Sequence, residues 1–320
     1  MKLFRHLLAV FALSACPFLH AAENPFIGRF ALTIPGGGAG WLGVEQINGE
    51  LKSSILWGGG SVVPTAATKV EGDTLIVTRM SNPKQPNPVT ETITARLSGD
   101  TISLTTVKAK SDGKEFGKAE FTGKRIPPVP AAPDLSKVKF GAPISIFNGR
   151  DLTGWHLVQP AADNGWSVQD GVLMNRIAPG KHHGNLRTDA EFEDFALTLE
   201  VRTQAGSNSG VYLRGIYEIQ IAETFGKALD PHNMGALYSR ITPSVAAEKP
   251  IGEWQTMSIT LVDRHVTVIL NGKTIIDNQP VLGCTGGAMT SDESKPGPIM
   301  LQGDHTNIDY RNIVLRPVVK

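Results

Sequence analysis

Residues 200–220 read EVRTQAGSNSGVYLRGIYEIQ. Glu200, Arg202, Asn208, Tyr212, Arg214, Glu218 and Gln220 recur there among valine, leucine and isoleucine. That strand-and-turn rhythm puts several polar groups on one sheet face. Such a face is either a solvated exterior or a binding surface. Here charges of both signs lie close to amides and a phenol, which suits a polyhydroxylated neutral ligand better than bulk water.

Outward from this stretch the sequence keeps its β character. In NGWSVQDGVLMNR the pair Asp170 and Gly171, and in VTVILNGKTIIDN the pair Asn271 and Gly272, supply the positive φ angles that two-residue hairpins need. Short alternating segments without crossover helices predict two packed antiparallel sheets over residues 144–320. The long polar loop 223–250 is placed at the rim of a binding face. Upstream, residues 23–126 repeat the pattern with Asn48 and Gly49, Gly72 and Asp73, and Gly99 and Asp100 as turns, which predicts a small antiparallel β-barrel or sandwich. Between the two lies IPPVPAAPDLSKVKFGAP, whose five prolines favour a stiff extended connection over residues 127–143. Gly38, Gly40 and Gly43 have dinucleotide-fingerprint spacing, but GVEQINGEL follows and alternates like a strand where that motif requires a helix. Trp41 and Trp57 read as core in preference to a carbohydrate-stacking pair.

The 31 Lys and Arg nearly cancel the 30 Asp and Glu of this 320-residue chain, which argues against nucleic acid as a partner. Lys2 and Arg5 precede the apolar run 7–15 and a set of small residues, so residues 1–22 are expected to be a secretory signal and the mature protein to be periplasmic or at the cell surface. Two endings compete: a lipoprotein box that would anchor the protein to membrane through Cys16, or ordinary cleavage at Ala21 and Ala22. Either way Cys284 loses its potential partner, and no disulfide is expected.

The motifs FNGRDLTGW, GNLRTDAEFEDFALTLEVR, NSGVYLRG, YEIQI, GALY, GEWQTMSITL, LNGKTIID, GPIMLQGDH and YRNIVLRP follow one another over about residues 144–318. In that order they resemble the 3-keto-disaccharide hydrolase family. The resemblance implies an all-β protein whose C-terminal domain is a concanavalin-like jelly-roll sandwich, with an active site on its concave sheet and activity on sugars already oxidised at C3. It says nothing about the first domain.

A ketone at C3 acidifies the C2 proton, so elimination of the aglycone from C1 followed by hydration gives net hydrolysis. That chemistry needs a base, an acid, donors for the C3 oxygen and groups that hold hydroxyls. Glu218 is the first candidate for base or acid, with Glu200 as the second carboxyl, Arg214 as oxyanion donor and His305 as proton shuttle. Asn208, Gln220, Gln302, Tyr212 and Tyr238 are the expected substrate-binding residues. Each has a bland counterpart: Glu200 paired with Arg202 or Arg214 across strands, Asn208 as a turn residue, His305 as a solvated pair with Asp304. The reading calls for no cofactor. His182 and His183, adjacent and so on opposite faces of a strand, lack a third ligand at a readable spacing, and no metal site is expected. A non-catalytic carbohydrate-binding lectin on the same sandwich is the alternative function, and a structural or adhesive surface protein a third.

Overall fold

The computed structural model describes residues 24–34, 38–81, 87–178, 181 and 183–319. The expected signal segment 1–22, with Cys16, and His182 lie outside the described residues. No described residue is helical, and the strands fall into three sheets.

The first sheet holds nine strands: β1 (Gly28–Thr33), β2 (Ala39–Ile47), β3 (Glu50–Trp57), β4 (Val63–Pro64), β5 (Ala67–Glu71), β6 (Thr74–Ser81), β7 (Val89–Ser98), β8 (Thr101–Ala109) and β9 (Glu115–Arg125). Their order, β4-β3-β2-β1-β9-β8-β7-β6-β5, is an antiparallel meander in which β9 returns to β1. Its two edges meet where the Thr65 amide donates to Ser53 O (2.9 Å) and the Ala66 amide to Thr78 O (2.8 Å), so the sheet curls into a barrel. The turns work as their residues require: Asn48 and Gly49 both have positive φ, at 52° and 84°, between β2 and β3. Gly40 and Gly43 lie within β2, in no position to cradle a phosphate. Alternation sends Phe30, Leu32, Leu42, Val44, Ile55, Val77 and Ile93 into the barrel. At one mouth Trp57 stacks on Phe121 at 4.8 Å and donates its indole N–H to Glu91 at 3.1 Å.

The remaining strands are β10 (Ile144–Ser145), β11 (Trp155–Leu157), β12 (Trp166–Gln169), β13 (Val172–Asn175), β14 (Leu186–Thr188), β15 (Phe195–Arg202), β16 (Asn208–Leu213), β17 (Tyr217–Ala222), β18 (Trp254–Val262), β19 (His265–Leu270), β20 (Lys273–Pro280), β21 (Met300–Leu301) and β22 (Ile308–Pro317). They make an eight-stranded sheet, β12-β13-β22-β15-β18-β19-β20 with β10 on β22, and a five-stranded one, β11-β14-β21-β16-β17. Phe195, Leu197, Leu199 and Val201 of the larger sheet share one buried cluster with Val211, Leu213, Tyr217, Ile219 and Ile221 of the smaller. The two sheets therefore pack face to face as a sandwich, and the alternate residues of each strand point outward.

Barrel and sandwich share part of this core. Ala39, Trp41, Leu56 and Ile126 point out of the barrel into the sandwich's cluster, and the Arg240 guanidinium lies 4.4 Å over the Trp41 ring. Arg264 pairs with buried Glu293 at 3.1 Å and donates to Pro127 O at 2.9 Å, tying the proline-rich connection down. Trp41 is thus interface core, and Trp41→Ala is expected to cost about 3–5 kcal/mol and to split a single denaturant transition into two. Equilibrium unfolding followed by circular dichroism checks both.

Candidate active site

Register decides which residues share the outer face of the five-stranded sheet. His156 pairs with Arg187, Arg187 with Met300, Met300 with Tyr212, and Tyr212 with Glu218. The row continues to Tyr238, whose amide donates to Glu218 O at 3.0 Å beside the Ile219–Leu237 bridge. Two residue pairs along, on the same face, Gly210 faces Gln220, and the Gln302 amide donates to Gly210 O at 2.9 Å. Asn208, two residues further on β16, accepts from Gln220 Nε2 at 3.2 Å. Asn208, Tyr212, Glu218, Gln220, Gln302 and Tyr238 thus meet on one patch. The amide oxygens of Gln220 and Gln302 are buried there without a hydrogen-bond partner among the described residues, an arrangement that a ligand's hydroxyl donors would complete.

Glu218 is 3% exposed. Burial pushes its carboxyl up to about 8; the Tyr212 hydroxyl and His305 pull the other way, and Asp304 adds to the rise. The carboxyl lies over Gly210: a Cβ there would come 2.3 Å from Glu218 Oε1, so only a glycine leaves room for it. Tyr212 donates its own hydroxyl to Gly286 O at 2.7 Å. His305 follows Gln302 on the loop after β21 and is half exposed, with Nδ1 2.6 Å from Asp304 Oδ1. That bond holds the imidazole above its ordinary value against the effect of partial burial, with the charges of Asp304 and Glu218 adding to the rise. A carboxyl that keeps its proton near neutrality thus stands within electrostatic reach of a histidine oriented by an aspartate, a constellation suited to moving protons.

Two expected catalytic residues lie elsewhere. Glu200 points outward from the eight-stranded sheet, with the whole sandwich between it and Glu218. Its carboxylate accepts from Arg311 at 2.6 and 2.9 Å and from Asn312 at 2.7 Å, a cross-strand pairing, but with Arg311 and not with the expected Arg202 or Arg214, which bond Asp309 and loop carbonyls instead. Partial burial opposes its charge, but those bonds outweigh it and hold the carboxyl below its ordinary value. Arg214 occupies the turn between β16 and β17 with φ 57°. Its buried guanidinium is spent on the carbonyls of Glu293 and Lys295, at the end of the sandwich and over the core-facing ring of Tyr217. Neither can serve as second carboxyl or oxyanion donor. Sequence reasoning missed Arg187 and His156, which share the Glu218 row; the His305–Asp304 pair it did name. The alternation of LRT, with core Leu186 and buried Thr188 flanking Arg187, carried the signal for the first. No group of three or more His, Cys, Asp or Glu that could hold a metal occurs among the described residues.

Residues 142–316 match the family described as 3-keto-alpha-glucoside-1,2-lyase-like domain. Similar solved structures include a "putative glycosyl hydrolase" from Parabacteroides distasonis, 28% identical, covering 61% of this chain and 94% of its own, with TM-score 0.45. A second protein so described from the same organism is 19% identical over 57% of this chain and 100% of its own, at TM-score 0.46. A carbohydrate binding module from Bacillus subtilis is 11% identical over 50% and 93%, at TM-score 0.33. No curated protein matches.

Glu218 keeps its proton to about 8 when folded, against an ordinary 4.5, so between those values the folded chain holds the extra proton and stability falls as pH rises. Glu218→Gln is therefore expected to raise the melting temperature, little near about pH 5 and most near about pH 9, as differential scanning fluorimetry across that range would read. Glu200→Ala is expected to leave kcat/KM within about twofold, whereas Gly210→Ala displaces Glu218 and lowers kcat by roughly 100-fold. Steady-state kinetics on the two variants separates the two carboxyls.

Proposed function

Because the chain belongs to the 3-keto-alpha-glucoside-1,2-lyase-like family over residues 142–316, and is therefore a carbohydrate-active, hydrolase-like protein, we propose that it is an exported enzyme cleaving 3-keto-glycosides by elimination and hydration. Export rests on the leader-like residues 1–22. The chemistry rests on one observation: buried Glu218, protonated near neutrality, faces the same patch as the His305–Asp304 pair and the unpartnered amide oxygens of Gln220 and Gln302.

His305, with Nδ1 engaged by Asp304, offers Nε2 to the acidified C2 proton. As the C2–H bond breaks, its electrons delocalise onto O3, where the side chains of Tyr238 and Gln220 act as donors. Collapse of the enolate forms the C1–C2 double bond and expels the glycosidic oxygen, which takes the Glu218 proton. The Glu218 carboxylate then removes a proton from water as its oxygen bonds to C1, and His305 returns a proton to C2. Both residues end as they began, and the sum is hydrolysis. A protonated acid near neutrality is what a poor alkoxide leaving group requires.

In deuterated water the released sugar is expected to carry deuterium at C2; aglycone release without that label rules the enolate out. The kcat/KM profile is expected to rise as His305 loses its proton, above the ordinary histidine value, and to fall as Glu218 ionises near about 8. Glu218→Gln should bind a 3-keto-glucoside by calorimetry and not turn it over; binding by wild type without turnover would mark a lectin.

A further inference from the structure

The barrel reaches the Glu218 row. Its loop 58–62, between β3 and β4, meets the sandwich at three points. The Gly287 amide donates to Gly58 O at 3.0 Å, Ser61 Oγ lies 2.9 Å from His232 Nε2, and the Val62 amide donates to Ser239 Oγ at 2.7 Å. The approach at Gly286 is backbone on backbone: a Cβ there would come 2.0 Å from Gly60 O. The carbonyl of the same Gly286 accepts the Tyr212 hydroxyl. On the other side the His232 ring stands edge-on to Tyr238, with centroids 5.1 Å apart. Continued past Tyr238, the row His156, Arg187, Met300, Tyr212, Glu218, Tyr238 therefore runs into His232 and then Ser61 of the barrel. At its far end His156 and Asp189 are exposed.

The row is thus open at one end and blocked at the other, and Glu218 stands one strand from the block. Neighbouring strands lie about 4.8 Å apart, close to the length of one pyranose unit. The barrel thus stands about one strand's width beyond Glu218, while Tyr212, Met300, Arg187 and His156 span several strands on the open side.

We propose that barrel loop 58–62 is the blind end of the sugar groove, and that Ser61, through His232 and Tyr238, is a positioning residue that restricts the site to the terminal unit of a glycoside. This rests on the function proposed above. The sandwich supplies the reacting groups and the barrel sets the length of sugar bound on one side of them, a part that the matched residues 142–316 do not contain.

The test uses the full chain and two trisaccharides, one oxidised at C3 of the terminal unit and one at C3 of the central unit. The terminal ketone is expected to turn over at least about 100-fold faster in kcat/KM. Ser61→Ala is expected to raise KM about tenfold with kcat within about twofold, and Ser61→Thr, which keeps the hydroxyl, to restore it. Equal turnover of both trisaccharides, or Ser61→Ala kinetics equal to wild type, overturns the blind end and leaves the chemistry standing. Wild type that binds the terminal ketone without turning it over overturns the chemistry; calorimetric Kd values then decide the wall, tenfold weaker binding by Ser61→Ala supporting it and equal binding overturning it. No binding at all overturns both.

Discussion

A carboxyl group on the outer face of a β-sheet is ordinarily wet, and the desolvation of Glu218 is the constraint that the rest of the site answers to. Keeping it 3% exposed demands a flat base and close walls. The base is the five-stranded sheet, held rigid by the sandwich core beneath, with Gly210 leaving a gap that the carboxyl fills. The walls are loops: residues 235–238 along the edge of β17, Gly286 at the Tyr212 hydroxyl, and the loop that carries Gln302 and His305, whose charge reaches Glu218. Taking the charge out of water is what keeps the proton on at neutral pH.

Glu200 provides the internal contrast. It has the same side chain and lies on a strand of the same domain, but Arg311 and Asn312 bond it on a partly solvated face. Arg311 and Arg202 lie at 4.0 and 4.7 Å over the Trp254 ring from their own strands. There the charges are matched and stay ionised, so the face serves the sheet's own cohesion. One domain thus holds two carboxyls in opposite electrostatic states, and the proposed chemistry falls on the side with the uncompensated one.

The sequence carried the β class and the hairpins because these depend on local rules: turn dipeptides with positive φ and a period of two. It also carried the single face shared by Asn208, Tyr212, Glu218 and Gln220, which sit on two strands joined by a tight turn. A period of two, however, says that Glu200 and Glu218 each leave the core and not that they leave it on opposite sides, since that depends on which sheet each strand joins. Arg214 failed for a related reason: it falls in the turn, where alternation stops, and its guanidinium follows the carbonyls of a loop about 80 residues later. The row from His156 to Tyr238 draws on segments far apart in the chain, and only long-range register aligns them. The barrel's part depends on a backbone contact between glycines, which leaves no hydropathic trace.

That contact bears on how such a protein can evolve. Gly286 touches Gly60, and Gly283 lies against the Trp41 indole, with a Cβ at either position closer than 3 Å to the facing domain. Cys284 between them is sealed in the same seam, its thiol pushed up to about 12 by burial. Recombination that exchanged one half for a foreign partner would have to reproduce these two close approaches as well as the Trp41–Arg240 and Ser61–His232 contacts, which favours exchange of the two halves together even though the recognisable motifs belong to one of them.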